Sequence, residues 1–371
     1  MNIKKEKWLS DYINTPHGII LGDNISVLKD LHPYYDGRID LVYIDPPYNR
    51  GDHYKYYSDF KGHDAWIQQL RQVIRELKEL LSDDGSIWIS IDDSEMAYLK
   101  IACDEIFGRK NCIATIVWQK RNTKENRKTF SNNHEYILVY SKNPDAFKKK
   151  RHLLPATEEI RKRYKNPDND PRGPWQSISL NVQAGHAVKS QFYTITSPSG
   201  IEFDPPQGRC WAYNAERMKE EIEKNNIWFG VDGTSVPRRK KFLSDSNVGI
   251  VPETLWLSGF AGTTKNAKDE LIKLNIFDQD IFDTPKPEKL LCQIISIATN
   301  ESDIVLDCFL GSGTTAAVAH KMNRNYIGID ISPQTIHYVE KRMLKVAEGE
   351  SGGISDEIKW KGGGTFEMLK W

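Results

Sequence analysis

Two consecutive prolines follow a short apolar run and determine where a strand must end. The run from Ile39 to Ile44 is apolar at nearly every position, which is typical of a buried strand. Pro46 and Pro47 cannot continue a hydrogen-bonded ladder, so the chain turns there. Asp45 and Tyr48 are therefore predicted just past the carboxyl end of a strand, where open α/β sheets bind ligands. A carboxylate beside an aromatic ring suits a flat partner that carries an amino group. A strand that merely turns on two prolines is the alternative.

Cysteine content and charge exclude several classes of protein. The five cysteines form no Cys-x-x-Cys pair and are odd in number, which argues against a disulfide framework or a zinc ribbon. We expect no metal site and a reducing cytoplasmic environment. No run approaches about 18 apolar residues and the N-terminus lacks an apolar signal core, so we expect no membrane contact. The 51 basic residues balance 51 acidic ones, so a nucleic-acid role requires an uneven distribution of charge.

Strand and helix patterns alternate over the first 140 residues. Strands are predicted at 18–21, 39–44, 86–91, 113–117 and 136–140, with amphipathic helices between several of them. One long helix is predicted to begin with Asp64 as its cap and to end at Asp83-Asp84-Gly85. The alternation indicates a doubly wound α/β sheet.

The middle of the chain changes character. Residues 120–165 contain 14 Lys and Arg against five Asp and Glu, which favours a polyanionic partner over the alternative of a solvated charged face. Between about 150 and 283 the helix–strand alternation is lost, and turn signals separate short β-prone runs, so we predict an inserted β-rich domain. Aromatic residues lie among the basic ones there, as in surfaces that contact phosphates and stack bases. These aromatic residues are Trp175, Tyr193, Trp211, Trp228, Phe229 and Trp256.

A glycine-rich loop between a strand and a helix appears near the end of the chain. Gly311 and Gly313 follow the predicted strand 303–307, and Asp330 ends the next strand about 20 residues further on. Glycines at such a loop let a ligand approach the backbone, and the carboxylate can accept from two ribose hydroxyls. The pattern predicts a nucleoside-bearing cofactor, with a glycine turn chosen for tight packing as the alternative.

The order of these features limits the fold. Only 41 residues follow Asp330, too few for four further strands, so the remaining strands must come from the N-terminal half. We therefore predict a circularly permuted, Rossmann-like sheet whose cofactor strands come last in the chain. This is not the usual layout of a nicotinamide enzyme.

At these residues the chain resembles the β-class DNA amino-methyltransferases, and in particular the modification subunits of type III restriction systems. The resemblance covers residues 18 to about 340. It is carried by Tyr43 to Asn49, Ser90-Ile91-Asp92-Asp93, Asn133 to Tyr140, Lys165 to Trp175 and Thr284-Pro285-Lys286-Pro287. Type III subunits are usually much longer than this chain, so a solitary or type II-like enzyme is expected equally.

The resemblance implies a methyltransferase fold, the cofactor S-adenosylmethionine, and transfer of a methyl group to the N6 atom of adenine in double-stranded DNA after base flipping. Asp45, Pro46, Pro47 and Tyr48 are the implied catalytic residues. Predicted cofactor contacts are Asp23, Asp45, Lys286, Pro287, Phe309, Gly311, Ser312, Gly313, Thr314, Thr315 and Asp330. Predicted DNA contacts are Lys120, Arg121, Lys124, Arg127, Lys128, Arg172, Arg209, Arg238 and Arg239.

These predictions divide the chain into four segments. Residues 1–150 form the first catalytic part, 151–283 the target-recognition domain, 284–345 the cofactor-binding part and 346–371 a C-terminal tail. Double-stranded DNA is the expected partner, with a second copy of the chain and a restriction subunit as further partners, in a prokaryotic or phage-encoded, nucleoid-associated protein. Cytosine-N4 transfer, a nicotinamide-dependent oxidoreductase and a catalytically silent DNA-binding homologue remain as alternatives.

Overall fold

The computed structural model describes residues 16–51, 62–126, 129–156, 158–245, 249–276 and 282–371. Eighteen strands are found in these ranges: β1 His17–Leu21, β2 Ile39–Ile44, β3 Leu81–Ile91, β4 Cys112–Gln119, β5 His134–Ser141, β6 Leu154–Pro155, β7 Trp175–Ser179, β8 Asn181–Gln183, β9 Ile195–Thr196, β10 Glu202–Phe203, β11 Arg209–Trp211, β12 Ile227–Trp228, β13 Arg238–Phe242, β14 Gly249–Ile250, β15 Leu255–Trp256, β16 Ile304–Asp307, β17 Asn325–Asp330 and β18 Glu367–Lys370.

The described helices alternate with the strands at both ends of the chain. They are α1 Asn24–Tyr35, α2 His63–Leu80, α3 Met96–Phe107, α4 Pro144–Lys150, α5 Glu158–Arg161, α6 Ala215–Glu223, α7 Ser258–Ala261, α8 Thr264–Leu274, α9 Glu288–Ala298, α10 Thr314–Lys321, α11 Pro333–Glu348 and α12 Ser355–Ile358. None of the helices in these ranges is long and apolar enough to span a membrane.

The chain divides into two units, residues 1–152 with 252–371 and residues 153–251. The first unit contains a nine-stranded sheet in the order β15-β4-β5-β3-β2-β16-β17-β1-β18. All neighbouring pairs are parallel except those of β5, which is antiparallel to β3 and β4. Because β16 and β17 lie between β2 and β1, the strands from the end of the chain complete a sheet begun at its start. The predicted permuted doubly wound fold is confirmed.

The central strands are apolar because helices cover both sides of the sheet. Val42 and Ile44 of β2 are fully buried in the same core as Leu70 and Leu77 of α2, whose apolar residues recur at helical spacing. The core thus supports β2 directly behind the Asp45 turn.

The ends of α2 differ from the prediction. Gly62, at φ +75°, is its N-cap, and Asp64 lies in the first turn without a capping hydrogen bond. The helix ends at Leu80 and the chain continues directly into β3, so Asp83-Asp84-Gly85 lies within a strand. A glycine with a positive φ can begin a helix without a side-chain cap, so the helix does not require Asp64 as its cap.

The second unit contains only short strands in its described residues. A three-stranded antiparallel sheet, β12-β13-β7, lies beside three two-stranded pairs, and its core includes Leu180, Trp211 and Phe229. This unit ends at residue 251, whereas the recognition domain was predicted to extend to 283. Described residues of the segment 252–283 instead supply β15, α7 and α8 to the first unit. Residues 346–371, predicted as a tail, belong to the same unit, and β18 near their end pairs with β1.

Candidate active site

Four adjacent parallel strands of the first unit carry a carboxylate at or just past their carboxyl ends. Asp45 follows β2, Asp307 ends β16, Asp330 ends β17 and Asp23 lies two residues beyond β1. The register pairs Leu21 with Asp330, so neighbouring strands end at the same level. The four side chains therefore meet at one edge of the sheet, where doubly wound folds bind their ligands.

A cavity of about 390 Å³ lies at this edge. All four aspartates line it, together with apolar side chains from both halves of the chain, which include Trp66, Leu70, Phe282, Phe309 and Ile331. An apolar cavity with a few converging carboxylates can hold a flat, partly apolar ligand that presents hydroxyl groups or positive charge.

Two of the carboxylates are held by hydrogen bonds from the glycine-rich loop and from residues that follow it. Asp330 Oδ2 accepts from Gly311 N at 3.0 Å, and its Oδ1 accepts from Ser332 N at 2.9 Å. Asp307 Oδ2 accepts from Thr315 Oγ1 at 2.6 Å. Burial raises the pKa of Asp330 above its usual value and raises that of Asp307 to about 7. Asp307 is thus a carboxyl that titrates near neutral pH inside the cavity.

The loop itself is held from behind by a buried guanidinium. Gly311 and Gly313 have φ values of +50° and +75°, in the left-handed region that favours glycine. Arg342 of α11 is fully buried and donates to Ser312 O at 3.0 Å and to Thr314 Oγ1 at 2.9 Å. The conformation of the loop therefore depends on a helix that follows it by 20 residues or more.

Asp45 also belongs to a buried hydrogen-bonded network. Its Oδ2 accepts from Lys286 Nζ at 2.6 Å and its Oδ1 from the Tyr48 hydroxyl at 2.9 Å. The same hydroxyl lies 3.1 Å from Glu135 Oε2 and 3.1 Å from Lys286 Nζ. Lys120 Nζ, 2.9 Å from Glu135 Oε1, completes the network. Two carboxylates and the Lys286 ammonium thus surround the hydroxyl of Tyr48.

The pKa values in this network follow from burial opposed by charge. Burial, with a contribution from Glu135, raises the pKa of Asp45 although Lys286 opposes it. Burial would also raise the pKa of Glu135, but Lys286 and Lys120 outweigh that effect and hold it below its usual value. Burial would lower the pKa of Lys286, yet Asp45 and Glu135 raise it well above the usual range. Lys286 and Glu135 are therefore charged at neutral pH.

The predicted catalytic turn is braced by a helix. Pro47 O accepts from Trp66 Nε1 of α2 at 2.6 Å, which fixes the carbonyl after the two prolines. Tyr48 is only 8% exposed, and its ring lies 5.2 Å from Lys286 Nζ and 5.7 Å from Arg50 Cζ. The Tyr48 ring is covered in this conformation and its hydroxyl lies in the network; stacking of a target base on the ring stays a prediction.

The predicted cofactor residues separate into two groups. Asp23, Asp45, Lys286, Phe309, Gly311, Ser312, Thr314, Thr315 and Asp330 line the cavity. Asp23 also serves as the N-cap of α1, accepting from Ser26 N at 3.0 Å. Pro287 is the N-cap residue of α9, and Gly313 packs against Val339, so both act behind the cavity wall.

The predicted DNA contacts of the first unit are only partly available. Lys120 forms an ion pair with Glu135, and its side chain is only 13% exposed. The prediction that Lys120 contacts phosphate is therefore corrected, because the side chain is largely buried. Arg121 donates to Asn132 O and pairs with Glu125 at 2.8 Å, while Lys124 is exposed. Arg127 and Lys128 lie outside the described residues.

The basic residues of the second unit differ in the same way. Arg172 pairs with buried Asp170 at 2.7 Å and stacks over Phe242 at 4.1 Å, so it stabilises this unit rather than presenting a free cation. Arg209, Arg238 and Arg239 are exposed. Arg172 is exposed as well, but its guanidinium is already paired with Asp170, so the other three are the better-placed predicted contacts of this unit.

Most of the aromatic residues that suggested base stacking lie in cores. Trp175, Trp211, Phe229 and Trp256 are buried, and Trp256 belongs to β15 of the first unit. Burial of large rings stabilises small domains, and composition alone cannot distinguish this role from stacking on a ligand.

Three residues of the site were not predicted from the sequence: Glu135, Asp307 and Arg342. Glu135 lies in Asn133 to Tyr140, one of the stretches that carried the resemblance, and Asp307 ends a predicted strand, so both had a signal. Arg342 had none beyond its place in an amphipathic helix.

Comparison with known proteins agrees with this geometry. The sequence profile of the DNA methylase family N6_N4_Mtase matches residues 39–341. The chain is 33% identical over 346 residues to the type III restriction-modification enzyme StyLTI Mod subunit of Salmonella typhimurium, covering 85% of this chain and 51% of that one. It is 31% identical over 357 residues to the type II methyltransferase M.KpnI of Klebsiella pneumoniae, covering 87% and 81%.

The solved structure of PvuII DNA methyltransferase (cytosine-N4-specific) shares the fold, with a TM-score of 0.51, 13% identity and 96% of each chain covered. The chain spans about half the length of the type III Mod subunits that it matches, 51% and 53% for two of them. The profile match covers most of this chain, including the Asp45 turn and the glycine-rich loop. The chain therefore belongs to the DNA methylase family.

Proposed function

We propose that this chain is a DNA methyltransferase that transfers a methyl group from S-adenosylmethionine to the N6 atom of a flipped adenine in double-stranded DNA. The observation that carries the proposal is the position of Asp45. Its carboxylate lines the cavity and also accepts hydrogen bonds from Tyr48 and Lys286. A group in that position can hold an amine against a ligand in the cavity.

The cavity suits the proposed cofactor. S-adenosylmethionine would supply an electrophilic methyl group on a positively charged sulfur. Asp330, fixed by Gly311 N and Ser332 N, is placed to accept from ribose hydroxyls, and Asp23 from the adenine amine. Phe309 and Ile331 line the same space and can pack on the purine ring. Four carboxylates around the cavity favour a cationic ligand.

The chain's own residues supply what the amine lacks. The exocyclic amine of adenine is a poor nucleophile because its lone pair is delocalised into the ring, and the base must leave the duplex to be reached. Asp45 and the carbonyl of Pro46 would accept the two amino hydrogens, which localises the lone pair and stabilises the positive charge that develops on nitrogen. Adenine rather than cytosine is proposed on the resemblance to type III modification subunits.

DNA binding is proposed for the exposed cations. Arg209, Arg238 and Arg239 belong to the second unit, for which we propose target recognition, and Lys124 belongs to the first. If Arg209 contacts phosphate, Arg209→Ala should reduce the slope of log K against log salt by about 0.9. Arg172→Ala is the matched control: it should leave that slope unchanged and lower the free energy of unfolding, because Arg172 is bound to Asp170. If Arg172→Ala changed the slope and Arg209→Ala did not, Arg172 rather than Arg209 would contact phosphate.

Partners other than DNA are proposed from the relatives alone. The Mod relatives bear the name of type III restriction-modification enzymes, and by analogy this chain is proposed to act with a restriction subunit. Self-association stays a prediction from the resemblance.

The test is methyl transfer from labelled S-adenosylmethionine to double-stranded DNA, followed by sequencing of the modified bases. We expect N6-methyladenine at one sequence context and no transfer by Asp45→Asn, because the amide presents a donor where an acceptor is needed. Methylation at cytosine N4 would reject the choice of base. Tight cofactor binding without transfer to any DNA would favour the silent homologue instead.

A further inference from the structure

We propose that Glu135 is a positioning residue for methyl transfer. It accepts a hydrogen bond from the Lys286 ammonium when the amino group of the target base replaces that ammonium at Asp45. The inference rests on the proposed function and adds a step to it. In the structure both oxygens of Asp45 already accept hydrogen bonds, from Lys286 and from Tyr48. Each carboxylate oxygen can accept more than one hydrogen bond, but an amine that approaches Oδ2 competes there with the Lys286 ammonium.

Lys286 lies between two carboxylates and can exchange one for the other. Its Nζ atom is 2.6 Å from Asp45 Oδ2 and 3.5 Å from Glu135 Oε2. Since charge-assisted hydrogen bonds measure about 2.7 to 2.9 Å, a shift of about 0.7 Å brings the ammonium into full contact with Glu135. The Tyr48 hydroxyl, 3.1 Å from the ammonium and from Glu135, can keep its contacts during that shift.

Glu135 is held ready for this exchange. Lys120 binds its other oxygen, Oε1, at 2.9 Å, which leaves Oε2 directed at Lys286 and Tyr48. The pKa of Glu135 lies below its usual value because the two ammonium groups outweigh its burial. The carboxylate is therefore ionised and fixed in place before any ligand arrives.

The exchange solves an electrostatic problem. Asp45 can stabilise the positive charge that develops on the amine only if Lys286 does not neutralise it. Lys286 is buried, so a displaced ammonium without a new acceptor would be left unpaired in the protein interior, which is costly. Glu135 offers an acceptor at the same depth, and the buried charge remains paired throughout.

The test is a double-mutant cycle in single-turnover methyl transfer at a pH where Asp45 is fully ionised. Glu135→Gln should lower the transfer rate about 10- to 100-fold and leave S-adenosylmethionine affinity unchanged. In the Lys286→Met background the same change should cost less than about twofold, because no ammonium remains to be moved. A merely structural role for Glu135 would give the same loss in both backgrounds.

Glu95→Gln is the matched control. Glu95 is also buried, and it accepts from Asn49 at 2.8 Å and from His63 at 2.8 Å. The loss of transfer rate caused by Glu95→Gln should be the same with and without Lys286. If Glu135→Gln does not fold, Glu135→Asp serves in its place: its shorter carboxylate should lower the rate less, and again only when Lys286 is present.

Two results would reject the idea, and they differ. An active wild-type enzyme with additive Glu135 and Lys286 losses would overturn the role of Glu135 and leave the proposed function intact. A wild-type enzyme that transfers nothing to any DNA would overturn both.

Discussion

Removal of the Tyr48 hydroxyl should lower the rate of methyl transfer, whereas a role of the ring in stacking alone would predict almost no loss. The hydroxyl has one proton, and Asp45 Oδ1 at 2.9 Å is a closer acceptor than Glu135 Oε2 at 3.1 Å. Tyr48→Phe removes this donor and nothing else from the ring. A hydrogen bond to a charged group contributes about 1.5 to 3 kcal/mol, so the transfer rate should fall about 10- to 150-fold.

The pH dependence of the rate should change in a defined direction. Burial already raises the pKa of Asp45, and the bond from Tyr48 counteracts that by favouring the ionised form. Without the hydroxyl the pKa of Asp45 rises further, so the acid limb of the pH–rate profile should move to higher pH. Part of the lost rate should return at alkaline pH, where Asp45 is again ionised.

The assay is single-turnover transfer of labelled methyl groups, measured across pH for the wild type, Tyr48→Phe and Tyr48→Ala. Duplex DNA with the target adenine mismatched lowers the cost of flipping and should partly rescue Tyr48→Ala, which loses the ring, but not Tyr48→Phe. Tyr140→Phe is the control, because its hydroxyl bonds Asp104 at 2.7 Å elsewhere in the sheet. A Tyr48→Phe enzyme with wild-type rate and an unshifted acid limb would show that only the ring matters.

Three further predictions concern the cavity and the second unit. Asp330→Ala should weaken S-adenosylmethionine binding at least tenfold by calorimetry, because bonds of about 1.5 to 3 kcal/mol to the ribose are lost; unchanged affinity would reject the assignment. Asp307 has a folded pKa of about 7, above its unfolded value, so its contribution to stability is greatest below about pH 4 and is lost as the pH rises toward 7. Asp307→Asn should therefore flatten the dependence of unfolding free energy on pH over that range in urea titrations, and a parallel curve would contradict the shift. Lys240→Met should lower the free energy of unfolding by about 3 to 5 kcal/mol, because fully buried Lys240 pairs with Asp168 and Asp170, whereas Lys241→Met, at a more accessible position, should change it little.

The positions of the aspartates could be predicted from the sequence because strand ends are local. Apolar runs locate β2, β16 and β17, and prolines or glycines show where each stops. Parallel neighbours then bring their carboxyl ends to one edge, so Asp45 and Asp330 had to lie on the same side of the sheet. Periodicity and chain order together were sufficient for that inference.

The partners of each charged residue could not be predicted in the same way. Lys120 and Arg172 occur in basic stretches, and composition gives them the same meaning as Arg209. The structure separates them, because Lys120 meets Glu135 across the β4–β5 pair and Arg172 bends back onto Asp170 two residues earlier. Such pairs depend on register and side-chain rotamer, which leave no periodic signal.

The contact between Asp45 and Lys286 shows what the permuted order adds. The two residues are 241 positions apart, and their side chains meet because β16, which follows α9, pairs with β2. Thr314 Oγ1, at the start of α10, also donates to Lys286 O at 3.1 Å, so one lysine is bonded through its backbone to the helix that follows the glycine-rich loop and through its ammonium to Asp45. A change in the loop conformation has in Lys286 a direct bonded route to Asp45. Lys286 thus links a residue that lines the cavity to the carboxylate that we propose accepts the amine.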